Sequence, residues 1–385
     1  MSLPSSSVED DGDGQNDKCV SIDKLVAQYF QQVEPHLLEF PDGRTMIKSA
    51  TQSALYERMF NEAVLWPIPP LNYRARVLKI ILSILEESIS DPEEDEISDD
   101  LMECWSTLVT QPKPSALQQA QQLAYVKYTA PVPASDADNA DGAPSEEHRS
   151  NRTIITSESR GLILSAGTTG FRTWEAALHL GSFLSTPAGQ ALVRGNRVIE
   201  LGAGTGFLSM FCAKHLGVQS VVATDREPAL IENIRDCMRR NELDPAVFQP
   251  AIWEWGTPLS LTPSEPEEGE GKGEGDAAQT AAVSGKGDLA FDVALGADLI
   301  YDVDLVPLLL STLRDLFENY HLREFIISAT LRNQDTFQTF LNACETNDFQ
   351  VECMPYQSPS AETQTGFFHS TSIPIRTYRI SRRVV

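Results

Sequence analysis

The chain has 385 residues, more than one ordinary domain needs, and 41% of them are hydrophobic, ample for a buried core. Its formal charge of −25 comes without any Lys/Arg cluster, which argues against nucleic acid as a substrate and makes basic, lysine-bearing protein surfaces the natural partners. No apolar run reaches the length of a membrane span, the N-terminus lacks a signal pattern, and the six cysteines and six histidines are scattered, so the expectation is a monomer in the reducing cytoplasm with no membrane contact and no metal site.

Residues 1–20, with Glu9-Asp10-Asp11-Gly12-Asp13, read as a disordered acidic tail. Helical spacing then recurs at Ile22, Leu25, Val26, Tyr29, Phe30 and Val33, at Val77, Leu78, Ile81, Leu82, Leu85 and Ile89, and at Leu101, Met102, Trp105 and Leu108. Leu117 to Tyr128 reads as a fourth helix. Residues 21–130 thus form an α-helical N-terminal domain, and the polar stretch 131–151 a linker. Ile154-Ile155-Thr156 and Leu162-Ile163-Leu164, on either side of Glu158-Ser159-Arg160-Gly161, suggest a hairpin. After Gly167-Thr168-Thr169-Gly170 a helix begins at Trp174.

The run Arg197-Val198-Ile199-Glu200-Leu201-Gly202-Ala203-Gly204-Thr205-Gly206 carries the most information. A β-branched strand ends in a glycine turn, and a helix follows from Phe207. Glycines let backbone approach a ligand closely, and the first helical N–H groups point at it. A dinucleotide fingerprint needs glycine or alanine at the third position of G-x-G-x-x-G, which here is Phe207. The pattern E-x-G-x-G-x-G instead resembles the first motif of the class I S-adenosyl-L-methionine-dependent methyltransferases. Asp225, closing the next strand, is suited to a bidentate grip on ribose hydroxyls.

From Val198 onward strands and helices alternate, which implies a parallel sheet covered on both faces. Strands are expected at 197–201, 219–224, 247–252, 291–296, 324–330, 349–354 and 373–380. Residues 258–288, rich in Gly, Glu, Lys and Ala, read as a disordered insertion, since lengthening a loop costs only about 0.6 kcal/mol per doubling. The fourth strand runs into Asp298-Leu299-Ile300-Tyr301, which would emerge at the carboxyl edge where such sheets bind ligands. Asn-Pro-Pro-Tyr, which methylases of planar amines carry there, is absent. A carboxylate suits an amine or ammonium instead.

Gly170-x-x-x-Trp174, Glu200 to Gly206, Trp253-Glu254-Trp255 and Asp298 to Tyr301 together resemble family 16 of the seven-strand methyltransferases, mostly protein-lysine enzymes. Within it, Ser157-Glu158-Ser159, Ser165 to Leu178 and Ala329-Thr330-Leu331-Arg332-Asn333 are similar to the elongation factor 2 lysine methyltransferase subfamily. The resemblance covers about residues 152–380. It implies a doubly wound, Rossmann-like α/β sheet of seven strands, the last antiparallel, in a methyltransferase domain spanning 152–385.

The resemblance also implies roles. Trp174 would lie at the methionine end of S-adenosylmethionine, Glu200 and Gly202, Ala203, Gly204, Thr205 and Gly206 would hold its amino-acid portion, and Asp225 its ribose. Trp253 would flank the adenine, with Ala297 in the same cofactor-binding set. Asp298 and Tyr301 would shape the lysine channel as catalytic residues, with Arg332 and Asn333 at the substrate rim. The implied reaction is methylation of a lysine of a translation factor, elongation factor 2. The motifs alone leave open a small-molecule methyltransferase and a non-catalytic scaffold that binds the same cofactor.

Overall fold

The computed structural model describes residues 22–112, 114, 115, 118, 122–132, 152–161, 167–259, 261 and 289–383. The acidic tail, nearly all of the 131–151 linker, the Leu162-Ile163-Leu164 arm of the expected hairpin and nearly all of the 258–288 insertion lie outside the described residues.

Among the described residues the α-helices α1 Ile22–Phe30, α2 Gly43–Met46, α3 Ser49–Leu55, α4 Leu71–Ser88 and α5 Asp99–Thr110 come first. Leu25, Tyr29 and Phe30 of α1 recur at one-turn spacing and so share a face. That face joins Val77, Leu78, Ile81 and Leu85 of α4 and Leu101 and Leu108 of α5 in one buried cluster. Each such side chain contributes roughly 1.5–3 kcal/mol when fully buried. Asp42 starts α2 by accepting the Thr45 backbone N–H, which satisfies one of the donors a helix leaves unpaired.

Of the helix expected over Leu117 to Tyr128, Gln118 is helical, Leu117 and 119–121 lie outside the described residues, and Ala124 to Tyr128 is corrected by the structure. Ala124–Thr129 is strand β1, paired antiparallel with β2, Thr153–Glu158, in the register Val126↔Thr156. Its residues alternate in the manner of a strand: Val126 and Tyr128 are fully buried, while Lys127 turns to the opposite side and sits 3.8 Å over the Phe30 ring of α1. The partner of β2 is therefore this distant segment. The aromatic and β-branched residues of Tyr125-Val126-Lys127-Tyr128 favour that outcome over a helix.

The main sheet has seven strands: β3 Arg197–Leu201, β4 Ser220–Asp225, β5 Phe248–Ile252, β6 Val293–Ala297, β7 Glu324–Thr330, β8 Phe349–Cys353 and β9 Ile375–Arg382. Their order is β5-β4-β3-β6-β7-β9-β8, all pairs parallel except those of β9 with β7 and β8. The fold is the expected doubly wound α/β sheet with an antiparallel last strand.

Helices α6 Glu175–Leu184, α7 Pro187–Val193, α8 Phe207–His215 and α9 Pro228–Arg240 pack on one face, with Leu180, Phe207, Phe211 and Ile234 in their core. Helices α10 Val306–Asn319 and α11 Gln334–Thr346 cover the other face through Leu309, Leu313, Leu316 and Phe340. The chain winds outward from β3 through β4 to β5, then returns to the other side of β3 as β6. The resulting crevice, at the carboxyl ends of β3, β4 and β6, is where open α/β sheets take ligands. Among the described residues, no helix is long and apolar enough to cross a membrane.

Candidate active site

The turn between β3 and α8 needs glycine for two reasons. Gly202, Gly204 and Gly206 all have left-handed backbone, with φ of 61°, 55° and 76°. A Cβ on Gly202 would also lie 2.8 Å from Leu299 Cδ2, and one on Gly204 3.1 Å from the Gly170 carbonyl oxygen. The backbone thus forms one wall of a cavity of about 300 Å³.

Trp174, Glu200, Gly202, Ala203, Gly204, Thr205, Asp225, Trp253, Ala297, Asp298, Tyr301 and Arg332 all line this cavity. Two of the sequence-derived candidates do not. Gly206 stands behind the wall at the start of α8, against Ile234. Asn333 caps α11, accepting the backbone N–H groups of Asp335 and Thr336.

Two carboxylates flank the glycine turn. Glu200, near the end of β3, is 3% exposed, and its Oε2 accepts the Ser209 backbone N–H at 2.9 Å and the Ser209 hydroxyl. Burial pushes its carboxyl up to about 7, against the pull of the Ser209 bonds, and the charge of Asp225 adds to the rise. Asp225 closes β4. Its Oδ2 accepts from Gly204 N–H at 3.0 Å and its Oδ1 from Glu227 N–H at 3.2 Å. Burial raises this carboxyl as well, opposed by those backbone donors.

Asp298 follows β6 with a left-handed φ of 51°, a conformation that Asp tolerates better than most residues. Its Oδ1 accepts Thr330 N–H at 2.7 Å, and its Oδ2 accepts the Thr330 hydroxyl at 3.0 Å and Arg332 at 3.3 Å. Burial raises its pKa and these partners lower it. It caps no helix: the short turn Val303–Leu305 is capped by Asp302.

The opposite wall is aromatic and cationic. Two guanidinium groups lie against the Trp174 ring, Arg172 at 5.0 Å and Arg332 at 5.2 Å, and its indole N–H donates to the Thr169 carbonyl at 3.2 Å. Arg332 also pairs with Glu175 at 2.6 Å, so it joins the start of α6 to Asp298 across the mouth. Trp253 is buried in the core, its indole N–H held by the Thr257 carbonyl at 3.0 Å, and it still reaches the cavity. Tyr301, 67% exposed, forms the lip with Leu305 and Leu308.

Sequence reasoning gave no role to Arg172, Thr173 or Trp255, which also line the cavity, nor to Glu175, which ties Arg332. Thr173 and Glu175 abut Trp174 beyond the Gly-Thr-Thr-Gly turn, and that adjacency was the available signal.

A family model described as lysine methyltransferase matches residues 163–268. Over 356 residues the chain is 39% identical to protein-lysine N-methyltransferase EFM3 of Chaetomium thermophilum, covering 92% of this chain and 96% of that one. It is 28% identical over 255 residues to EFM3 of Saccharomyces cerevisiae, covering 60% and 66% of the two chains. With the human protein-lysine N-methyltransferase EEF2KMT it shares 27% identity over 207 residues, covering 50% and 54%.

Proposed function

Because this chain belongs to the lysine methyltransferase family and is a protein-lysine N-methyltransferase, we propose that its cavity holds S-adenosyl-L-methionine over the glycine turn and that its substrate is a lysine of elongation factor 2. The observation that carries the cofactor assignment is the pair of carboxylates, Glu200 and Asp225, at the ends of adjacent parallel strands on either side of a backbone cradle that a Cβ would fill. That set fits the group. Asp225 suits the ribose hydroxyls, Glu200 and the Gly202–Thr205 backbone suit the amino-acid end, and Trp253, with Trp255 beside it, offers flat apolar surface to adenine. Trp174 would face the methionine end. When bound, the cofactor supplies an electrophilic methyl on a sulfonium.

The protein's part is to present a neutral amine in line with that methyl. A free lysine has a pKa near 10.4, so it must lose its proton in the channel. Tyr301, Leu305 and Leu308 border the cavity, and a lysine side chain laid against them would displace water from the ammonium and favour that loss. A carboxylate has about four acceptor positions. Thr330 and Arg332 fill three on Asp298, which leaves one on Oδ1 to orient the amine. Alignment then does most of the work, as in other reactions accelerated by positioning.

The choice of elongation factor 2 is supported by the Ser157-Glu158-Ser159, Ser165-to-Leu178 and Ala329-to-Asn333 segments and by the similarity to EEF2KMT. Mass spectrometry of elongation factor 2 from cells lacking this protein tests it: a methylated lysine should become unmodified. A methylation pattern identical to that of normal cells would overturn the substrate assignment.

A further inference from the structure

Glu158, at the end of β2, has no solvent exposure and does not line the cavity. Three hydroxyls converge on its Oε1: Thr156 Oγ1 at 2.6 Å, Thr173 Oγ1 at 2.7 Å and Tyr128 Oη at 2.8 Å. Its Oε2 meets Arg160 Nε at 3.3 Å. Arg160 also donates to Tyr128 Oη at 2.8 Å and to the Gln32 carbonyl, just past α1, at 2.9 Å. Two of the elements involved, β1 and α1, come from the N-terminal part of the chain.

The proton count has a consequence for the cavity. A carboxylate paired with arginine only accepts, and each hydroxyl owns one proton. Thr173, 2.7 Å from Oε1, therefore spends its proton on Glu158. Thr173 Oγ1 also lies 2.7 Å from Thr205 Oγ1, a contact in which geometry alone allows either to donate. With the Thr173 proton committed, Thr205 must be the donor. Thr205 sits in the glycine turn, 3% exposed and lining the cavity. Its O–H is turned back into the protein, so what it can offer a ligand is lone pairs.

We propose that Glu158 is a positioning residue: acting through Thr173, it sets Thr205 as a fixed acceptor for the ammonium group of the cofactor's amino-acid end. An acceptor-only hydroxyl attracts N–H donors and repels a carboxylate, so it also fixes which way round that end lies. Arg160 anchors the relay to the Gln32 carbonyl, which makes the N-terminal helices part of the support of the cofactor site. The inference rests on the S-adenosylmethionine reading of the cavity.

Calorimetry with S-adenosylhomocysteine and its desamino analogue, which lacks only the ammonium, tests it on the full-length protein. Wild type should prefer S-adenosylhomocysteine by on the order of tenfold or more, the scale of a hydrogen bond to a charged group. In Thr173→Val and Thr205→Val that preference should fall about tenfold, while affinity for the desamino analogue stays within about twofold and reports an intact pocket. Thr173→Ser, which restores a hydroxyl, should restore the preference. Equal weakening of both ligands, or an undiminished preference in both valine variants, would overturn the relay, as would a wild type that does not distinguish the two compounds. Wild-type protein that binds neither would instead remove the cofactor assignment, and the relay with it.

Discussion

Replacing Glu200 by Gln should stabilise the ligand-free protein at alkaline pH, an unusual result for a residue proposed to serve the active site. The side chain is 3% exposed, and burial raises its carboxyl from 4.5 to about 7. Its folded-state pKa thus lies above its unfolded value. The sign follows: its contribution is fully favourable below about pH 4.5 and is lost as pH rises through 7, as the buried group is forced to ionise. A shift of this size corresponds to roughly 3 kcal/mol. At about 2.1 cal/mol/K of unfolding entropy per residue, a chain of this length would change its melting temperature by roughly 4 °C. Gln keeps an acceptor for the Ser209 N–H and never ionises. The melting temperature of Glu200→Gln minus that of wild type should therefore grow between pH 5 and pH 8.5, and the subtraction cancels every group the two proteins share. Saturating S-adenosylhomocysteine should shrink the effect, because its ammonium stabilises the carboxylate. A difference that stays flat with pH, or turns against Gln at alkaline pH, would show that the Ser209 bonds outweigh burial and would refute the reasoning.

Asp225→Ala should weaken S-adenosylhomocysteine binding by tenfold or more, about the loss of one charge-assisted hydrogen bond; unchanged affinity by calorimetry would remove Asp225 from the ribose site. Asp298→Ala should abolish methyl transfer to protein while cofactor binding survives, and loss of both together would demote Asp298 to a structural role. Asp298→Asn retains the tolerance for left-handed backbone but puts an amide donor where an oxygen accepts from Thr330 or Arg332, so it should lower the melting temperature, and an unchanged thermal scan would show that those bonds add nothing to stability. Tyr29 Oη is buried without a hydrogen-bond partner among the described residues; Tyr29→Phe should therefore leave stability unchanged or raise it by about 1 kcal/mol, and a clear loss in urea unfolding would reveal an acceptor.

The sequence exposed the main sheet because local and global signals agree there. Strands such as Val198-Ile199 and Val221-Val222-Ala223 are buried on both faces, so they read as continuous apolar runs, and glycine or acidic residues mark their ends. β3 and β7 fall at the expected bounds, and the other five strands start or stop within two residues of theirs. Ribbon β1 was illegible for the opposite reason. Its partner β2 begins 24 residues beyond its end, across a polar stretch, and no local period encodes so distant a pairing. The short helices α2 and α3 were missed because runs of four and seven residues carry too few apolar positions to set a period. At the site, motifs located the residues that touch the cavity. The bonds that hold Asp298 and Arg332, between side chains 34 positions apart, could be seen only after folding.

The charged groups around the cavity fall into two sets, and the division bears on what can bind. Asp298 and Glu175 share Arg332, and Arg172 lies 4.0 Å from Glu175, so their charges are matched within the protein. Glu200 and Asp225 accept bonds only from neutral donors, Ser209, Gly204 and Glu227 N–H and the Ser209 hydroxyl, and burial pushes both carboxyls upward. The nearest arginine in sequence, Arg226, lines the cavity but pairs with Glu227 at 3.2 Å, its charge already matched there. Two poorly compensated acids on either side of a glycine turn disfavour a pyrophosphate, which would bring like charge into a buried space, and favour a ligand that arrives with positive charge. A sulfonium nucleoside with an ammonium at its far end carries two such charges. A product that has given up its methyl keeps only the ammonium, so demethylation of the bound cofactor removes one favourable charge from the pocket. Product should therefore bind with a weaker dependence on pH than the cofactor, and calorimetric titrations of S-adenosylmethionine and S-adenosylhomocysteine from pH 6 to pH 8.5 should diverge, with the cofactor gaining more as Glu200 ionises. Parallel pH profiles would mean that the sulfonium lies beyond the reach of both acids, and that the cavity discriminates by shape alone.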